Sequence, residues 1–367
     1  MRALRRRLIR SAPLLLAAIL SSPGTAGLDS PEPGVEPSAE RPSHAVVLMY
    51  HRFGEDRFPS TSIRIDQFEA QLKHLEEGGF EVLPLEQILE AISSGRTLPD
   101  LTVAITVDDA FRSVFDVAYP RLKARGWPFT VFVNSDSIDK KLSAYMSWDQ
   151  MRSMRDHGVT FANHTASHDS MVERRPGEND DSWRKRERAD IERCRTRLRE
   201  ELGETPALFA YPYGDFDAAS ADLVTKAGYA AFGQQSGAVG RDSDFRALPR
   251  FPMAEGFAGI DAFRDKVRAL PMPVETAEPW NPVSASRRPE LTVTLSGEVE
   301  QPGQLTCYAS GQGQISVRWS EEGRRFTTQA KESLAPGRVR YNCTLPSGIP
   351  GRYYWYSHPW IVGDETP

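Results

Sequence analysis

The sequence predicts an α/β protein: an incomplete or distorted (β/α) barrel followed by a small all-β domain. From Ala45 onward, short apolar segments alternate with amphipathic segments. This alternation is typical of a parallel sheet with helical crossovers, and the number of repeats favours a barrel over the rival architecture, a doubly wound open sheet. Beyond residue 290 the pattern changes to short alternating strands between Gly and Pro turns, which indicates an antiparallel domain.

Length and composition narrow the class of protein before any motif is considered. The chain has 367 residues, enough for two or three domains, and is 40% hydrophobic and 26% charged. These values are those of a folded chain and exclude a disordered one. The formal net charge of -5 provides no basic surplus of the kind that nucleic-acid binding usually needs. We therefore expect no nucleic-acid partner.

The N-terminus predicts export. Residues 1–26 combine five arginines, a short apolar stretch at 12–20 and small residues at 24–26, as in a signal peptide. The apolar stretch is shorter than the roughly 20 residues that span a bilayer, although an uncleaved anchor remains the alternative. We expect a periplasmic or secreted protein with no stable membrane insertion once the signal is removed. Residues 27–44, rich in Pro, Ser and Glu, are predicted to be a linker.

The barrel domain is predicted to cover residues 45–270. Asp66 is the expected N-cap of the first helix, which Gly78 and Gly79 end. Residues 271–290 are interpreted as a second linker and 291–367 as the antiparallel β domain. Within the barrel the patterns predict strands at 45–50, 102–107, 129–134, 159–164, 208–213 and 229–233, and further helices near 113–125, 148–157, 184–202, 217–227 and 259–270.

The three cysteines divide into a pair and a remainder. Cys307 and Cys343 lie in the same C-terminal segment, and an oxidising compartment would allow them to form a disulfide. Cys194 lies in a charged helical pattern and is interpreted as a structural residue rather than a nucleophile.

Polar residues follow four of the predicted strands. They are His51, the pair Asp108–Asp109, the pair His164 and His168, and the segment Tyr211–Gly214. In parallel α/β barrels the carboxyl ends of the strands form the rim where active sites lie. Four polar clusters at one rim therefore predict a catalytic site there.

The residue types indicate a metal site. Adjacent residues of a strand point in different directions, so one of Asp108 and Asp109 can bind a cation while the other accepts a proton. A helix N-cap is the alternative role for this pair. His164 and His168 can join Asp109 on one divalent ion, leaving positions open for water and substrate. Zinc suits two imidazoles and a carboxylate, and cobalt or nickel also bind such sites.

Three motifs in this order resemble a known family. TVDDA at 106–110 is similar to the motif TFDDG of the polysaccharide deacetylases (carbohydrate esterase family 4, the NodB-homology domain), HTASH at 164–168 to their second motif, and FAYPYG at 209–214 to their third. The opening VVLMYHRFG resembles the subgroup that deacetylates exported poly-N-acetylglucosamine.

The resemblance implies a role for each matching residue. Asp108 would be the general base, and Asp109, His164 and His168 the metal ligands. The backbone N–H at Tyr213 would stabilise the oxyanion. His51 matches the general acid of the biofilm subgroup, although a histidine that merely packs at the barrel rim is the alternative.

The sequence departs from the family pattern at three places. Ala110 replaces the usual Gly, so the turn must avoid a positive φ or accept strain. The family's arginine before the third motif is absent, and Arg250 is a candidate replacement that would pair with Asp108, with a surface charge as the alternative. The late Leu-x-x-x-His motif is also missing, which fits His51 as the acid.

We therefore expect a metal-dependent hydrolase that removes N-acetyl groups from a polysaccharide substrate. An O-acetyl polysaccharide esterase is the nearest alternative, since the same chemistry cleaves esters. A catalytically inactive glycan-binding protein is the other, because aromatic residues cluster at 353–360 of the β domain. The sequence identifies no protein partner.

Overall fold

The computed structural model describes residues 43–363. The predicted signal peptide and nearly all of the first predicted linker lie outside this range. Across residues 43–363, no helix combines the length and apolar character that a bilayer-spanning segment requires.

The described residues contain twenty strands. In chain order they are β1 His44–Tyr50, β2 Arg52–Phe53, β3 Ser62–Ile63, β4 Glu81–Val82, β5 Thr102–Asp108, β6 Thr130–Val133, β7 Thr160–Asn163, β8 Leu208–Ala210, β9 Ala230–Phe232, β10 Ala238–Gly240, β11 Phe251–Pro252, β12 Leu270–Pro271, β13 Val274–Glu278, β14 Val283–Ser284, β15 Glu290–Leu295, β16 Thr306–Ala309, β17 Gly313–Trp319, β18 Arg325–Gln329, β19 Gly337–Pro346 and β20 Tyr353–Val362.

Helices fall mainly in the first part of the chain. They are α1 Ile65–Glu77, α2 Leu85–Ser94, α3 Tyr119–Ala124, α4 Ser135–Asp139, α5 Trp148–Arg155, α6 Asp180–Leu202, α7 Ala218–Lys226 and α8 Ile260–Lys266, with a π-helical turn at Val114–Ala118 and short 3-10 turns at Pro212–Gly214, Glu255–Phe257 and Pro302–Gln304.

The first sheet forms the predicted incomplete barrel. Its strand order is β10-β1-β5-β6-β7-β8-β9, with β11 also paired to β1 and β4 to β5. The pairs from β1 through β9 are parallel, whereas β10 runs antiparallel to β1 at the edge. The predicted fold class, an incomplete (β/α) barrel followed by a β domain, is confirmed.

Burial on both faces explains why the central strands are continuous apolar runs. Every residue of β1 and β5 is buried. Val46 and Leu48 pack in the same apolar cluster as Phe68 of α1. Ala45 and Val47, whose side chains point the other way, join a second cluster. The alternation of side chains along β1 thus links two cores.

The start of α1 differs from the prediction. Arg64 is the N-cap, with extended backbone, and the helix begins at Ile65. Asp66 instead lies in the first turn, where its negative charge interacts favourably with the helix N-terminus and where it pairs with Arg64 at 2.9 Å. The predicted N-cap at Asp66 is therefore wrong by two positions.

The second sheet builds the C-terminal β domain. Its order is β12-β20-β19-β16-β17-β18-β15-β13, with β14 also paired to β20. The pairs from β20 to β13 are antiparallel, while the short strands β12 and β14 run parallel to β20. Strands β13 and β14 fall inside 271–290, the segment interpreted as a linker, so the sheet begins earlier than residue 291. The domain boundaries themselves stay a prediction.

The aromatic cluster of β20 serves mainly in packing. Trp360 is fully buried in the core of the β domain. Trp355 contacts Phe251 of the barrel edge to face, with ring centroids 5.1 Å apart. Tyr353, by contrast, is exposed. The strand therefore joins the β domain to the barrel instead of presenting a broad aromatic face to solvent.

The predicted disulfide is present. Cys307 of β16 and Cys343 of β19 face each other in the antiparallel pair and are bonded. Cys194 is free and buried, with its thiol near the carbonyl oxygen of Val133. Burial raises the pKa of the Cys194 thiol to about 12, so this residue stays protonated and has no nucleophilic character at neutral pH.

Removing the disulfide by the double substitution Cys307→Ala and Cys343→Ala should destabilise the β domain. The bond closes a loop with a sequence separation of 36 residues. A loop of that size contributes about 4 kcal/mol in the chain-entropy model. Urea unfolding of the oxidised wild type and the double variant measures the difference. Alkylation of both cysteines in unfolded, unreduced protein would contradict the bridge.

Candidate active site

The polar residues converge because their strands are parallel neighbours. Asp108 is the last residue of β5, and His51 directly follows β1, whose Tyr50 is opposite Val107 of β5. His164 directly follows β7, which is connected to β5 through β6. Each side chain therefore emerges at the carboxyl edge of the sheet, as the sequence predicts.

Asp109, His164 and His168 form a group suited to a metal ion. The Oδ1 atom of Asp109 lies 3.0 Å from Nε2 of His168 and 3.4 Å from Nε2 of His164. One ligand atom from each of the three residues lies within 4.8 Å of the others. The structure thus brings together the three predicted ligands.

The chemistry of the group fits a divalent cation. Asp109 Oδ1 and His164 Nε2 are buried, and neither has a hydrogen-bond partner of acceptable geometry in the described part of the chain. Buried polar atoms are nearly always satisfied, so two unsatisfied atoms facing each other need an explanation. The Nδ1 of His164 lies 2.7 Å from the Ala210 carbonyl oxygen, to which a protonated Nδ1 donates. This contact leaves the Nε2 lone pair for a cation.

Left-handed backbone is concentrated at the site. Among residues 43–363, seven non-glycine residues have a positive φ, and five of them lie in the three motif segments. Each such residue costs roughly 1–3 kcal/mol, and strain of this kind gathers where function fixes geometry. Ala110, which stands where the family has Gly, accepts the strain with a φ of 59°. The five residues are Asp109, Ala110, Thr165, His168 and Tyr213.

Asp108 is held by Arg250 in a fully buried ion pair. Nη1 of Arg250 donates to Oδ1 at 2.6 Å and Nη2 to Oδ2 at 2.8 Å, and both side chains are 0% exposed. Arg250 also donates from Nε to the Gly233 carbonyl at 3.0 Å. The predicted contact between Arg250 and Asp108 is therefore present, and the alternative of a surface charge is wrong.

This pair keeps Asp108 ionised. Burial by itself raises the pKa of the Asp108 carboxyl, but the positive charge of Arg250, the neighbouring His164 and His51 and the hydrogen bonds from Arg250 together outweigh it, so the pKa lies below its ordinary value. A carboxylate accepts at two oxygens with about four lone-pair sites, so the two hydrogen bonds from Arg250 leave acceptor capacity free. Asp108 is thus a charged acceptor at a fully buried position.

His51, which follows the neighbouring strand β1, lies close to Asp108. Its Nε2 is 3.9 Å from Asp108 Oδ2, which is beyond hydrogen-bond distance. Burial lowers the pKa of His51, and this effect exceeds the opposing attraction of Asp108 and Asp109. The imidazole is therefore a stronger acid when protonated than an exposed histidine would be.

Tyr213 occupies a tight turn beside the group formed by Asp109, His164 and His168. Its φ is 59° and its ψ is 2°. The turn uses the N–H groups of Gly214 and Asp215, which donate to the carbonyls of Tyr211 and Pro212, so the N–H of Tyr213 lies outside these two bonds. The Tyr213 ring meets the His168 imidazole edge to face, with centroids 4.6 Å apart.

Sequence reasoning missed a group of residues behind this turn. Asp215 is buried and accepts hydrogen bonds from Ser170, near the second motif, and from Arg338 of the β domain. Arg338 and Asp215 are separated by 123 positions, and no spacing rule joins residues that far apart.

Comparison with known proteins relates the chain to the polysaccharide deacetylases. Residues 95–232 match the family model described as polysaccharide deacetylase. The chain therefore carries a polysaccharide deacetylase domain, which confirms the resemblance of the three motifs.

Several similar proteins carry the name poly-beta-1,6-N-acetyl-D-glucosamine N-deacetylase. The chain is 24% identical over 246 residues to the poly-beta-1,6-N-acetyl-D-glucosamine N-deacetylase of Escherichia coli K12, covering 57% of this chain and only 36% of that protein. It is 25% identical over 255 residues to the enzyme of the same name from Staphylococcus aureus MSSA476, covering 61% of this chain and 82% of the relative. The solved structure of IcaB from Ammonifex degensii is 26% identical with a TM-score of 0.54, covering 62% of this chain and 97% of IcaB.

Asp109→Asn should abolish tight binding of a divalent cation while preserving the fold. The amide is nearly isosteric with the carboxylate but carries no charge, so the site loses its anionic ligand. Metal content after dialysis against zinc, and the rise in Tm on adding zinc, measure the change. His157→Ala, at an exposed histidine outside the group, is the matched control and should bind as wild type does. Equal zinc content in Asp109→Asn and wild type would contradict the ligand assignment.

Proposed function

We propose that the protein is a metal-dependent hydrolase that removes N-acetyl groups from amino sugars of an exported polysaccharide of the poly-N-acetylglucosamine type. The observation that carries this proposal is the arginine-held Asp108 directly beside the Asp109, His164 and His168 group, in which buried atoms of Asp109 and His164 lack hydrogen-bond partners. The names of the E. coli and S. aureus relatives support the choice of substrate.

Asp109, His164 and His168 would hold the cation. A bound divalent cation supplies polarisation of the amide carbonyl and lowers the pKa of a neighbouring water. Asp108 accepts the proton of the attacking water as general base. Arg250 keeps the carboxylate charged and fixes its direction, because two bonds from one planar guanidinium allow a single orientation.

Two further groups complete the reaction. As water attacks, negative charge collects on the former carbonyl oxygen, and the N–H of Tyr213 is the proposed donor to it. A backbone donor of this kind typically contributes about 3–4 kcal/mol to the transition state. The departing amine needs a proton, and His51 is the proposed donor, since its lowered pKa makes the imidazolium a stronger acid.

Export of the protein is part of the same proposal. The arginine-rich, then apolar start of the sequence supports a signal peptide, and an oxidising compartment suits the Cys307–Cys343 bond. The substrate is then a glycan of the cell envelope or the extracellular matrix.

Asp108→Asn should retain metal and lose nearly all turnover. The substitution removes the proton acceptor but leaves all three proposed ligands, so we expect a fall in kcat of about 100-fold or more. Acetate release from β-1,6-linked N-acetylglucosamine oligomers, with and without chelator, measures the activity, and elemental analysis measures the metal. Loss of metal in this variant would show that Asp108 and Asp109 have the opposite roles.

The same assay separates the alternatives. Acetate release from acetylated xylan, with none from N-acetylglucosamine oligomers, would favour an O-acetyl esterase. Glycan binding by metal-loaded protein without acetate release would favour a binding protein.

His51→Ala should lower kcat and change its pH dependence without changing metal content. In the wild type, His51 loses its proton as the pH rises, so the rate should fall toward alkaline pH. The variant lacks the titrating group, and its lower rate should not show this decline. A variant with wild-type kcat and pH profile would show that His51 only packs at the rim.

A further inference from the structure

The turn that carries Tyr213 needs outside support. Its left-handed φ of 59° is unfavourable for a residue with a bulky side chain. The ring is 45% exposed, so core packing does not hold it. Both its backbone N–H and the neighbouring His168 must nevertheless keep their positions for the proposed reaction.

Asp215 links this turn to the loop of the second motif. Its side chain is 4% exposed, and Oδ2 accepts a hydrogen bond of 2.6 Å from the hydroxyl of Ser170. Ser170 lies two residues after His168. One buried carboxylate therefore ties the Tyr213 turn to the segment that carries a proposed metal ligand, provided that its charge is compensated.

The β domain supplies that compensation. Arg338 donates from Nε to Asp215 Oδ1 and from Nη2 to Oδ2, each at 2.6 Å. The same guanidinium covers the Tyr213 ring, with Cζ 4.6 Å from the centroid. A bidentate bond combined with a cation–π contact is a geometry that lysine cannot reproduce.

The position of Arg338 is itself fixed. It lies on β19, which pairs with β20 along ten residues, with Arg338 opposite Ile361. Strand β20 is anchored to the barrel through Trp355 and Phe251, and Arg352 just before it holds Asp100 with bonds of 2.8 and 2.9 Å. The β domain therefore presents the guanidinium from a rigid support.

We propose that Arg338 is a positioning residue for the deacetylase site: the C-terminal β domain holds the Tyr213 turn and, through Asp215 and Ser170, the His168 loop in their working geometry. This inference rests on the proposed function for its catalytic part. It assigns the β domain a part in the active site, in place of a separate role as a glycan-binding module.

Arg338→Met in the full chain tests the proposal through two readouts. Methionine keeps an unbranched apolar side chain but has neither the positive charge nor the paired N–H donors of the arginine. We expect the affinity for Co²⁺, measured by titration and competition with a chelating dye, to fall about 10- to 100-fold, as when partners of metal ligands are removed. At saturating metal, kcat should fall by a similar factor with little change in KM, because the effect is on geometry and not on substrate binding.

Two companion variants sharpen the result. Arg338→Lys keeps a positive charge beside Asp215 and should show an intermediate loss, even if the methionine variant folds poorly. Arg318→Met is the matched control, since Arg318 is exposed to a similar degree and also forms an ion pair on a β-domain strand, at 2.8 Å, but its partner Glu290 is exposed whereas Asp215 is buried. This control should leave both Co²⁺ affinity and kcat unchanged.

The outcomes are distinguishable. Wild-type Co²⁺ affinity and kcat in folded Arg338→Met and Arg338→Lys proteins would overturn the proposal, as would losses that the Arg318→Met control shares. A wild-type protein that binds Co²⁺ but releases no acetate would contradict the proposed function alone. The Co²⁺ affinities of the variants would then decide the role of Arg338.

Discussion

The buried ion pair between Asp108 and Arg250 is the constraint on which the site depends. An isolated carboxylate in this position would be protonated or would destabilise the fold, because moving a charge out of water costs several kcal/mol. Arg250 offsets that penalty with two short hydrogen bonds to the carboxylate. It also donates hydrogen bonds to the Gly233 carbonyl and the Thr106 hydroxyl. A base that is ionised before the reaction can therefore lie directly beside the candidate cation site.

Neighbouring contacts also stabilise the strained turns around this ion pair. The strained backbone at Asp109, Thr165 and Tyr213 is stable only because neighbouring contacts fix it. Asn163 accepts the N–H of Thr165 on its side chain at 2.9 Å, and Thr165 in turn accepts the N–H of His168 at 3.0 Å. Short local hydrogen bonds thus support the loop that carries His164 and His168.

Local pattern was enough to predict the elements that carry the site. Strands β1, β5 and β6 are continuous apolar runs because both faces are buried, and that signal is strong in the sequence. The helix α2 was missed, although Leu85, Ile88 and Ile92 have helical spacing and Gly95 ends the helix in a left-handed conformation. The sequence therefore carries a clear signal for this helix.

Contacts between distant segments were predictable only where a chemical requirement pointed to them. Arg250 is predictable because the family's arginine is absent from the third motif and Arg250 lies at another predicted strand end. Nothing comparable pointed to Arg338, because the need it meets belongs to Asp215, whose burial is set by the tertiary fold. Similarly, β13 and β14 join the second sheet through pairing partners that composition alone does not reveal.

The contact of Arg338, on strand β19, with Asp215 has a consequence for the evolution of the protein. A module attached by a linker can be exchanged, duplicated or lost with little effect on its neighbour. Here Arg338 of β19 holds Asp215 in the turn beside the site. A substitution at one of these two positions therefore changes which substitutions the other tolerates. The two parts of the chain are thus expected to have diverged together, as a single unit of selection.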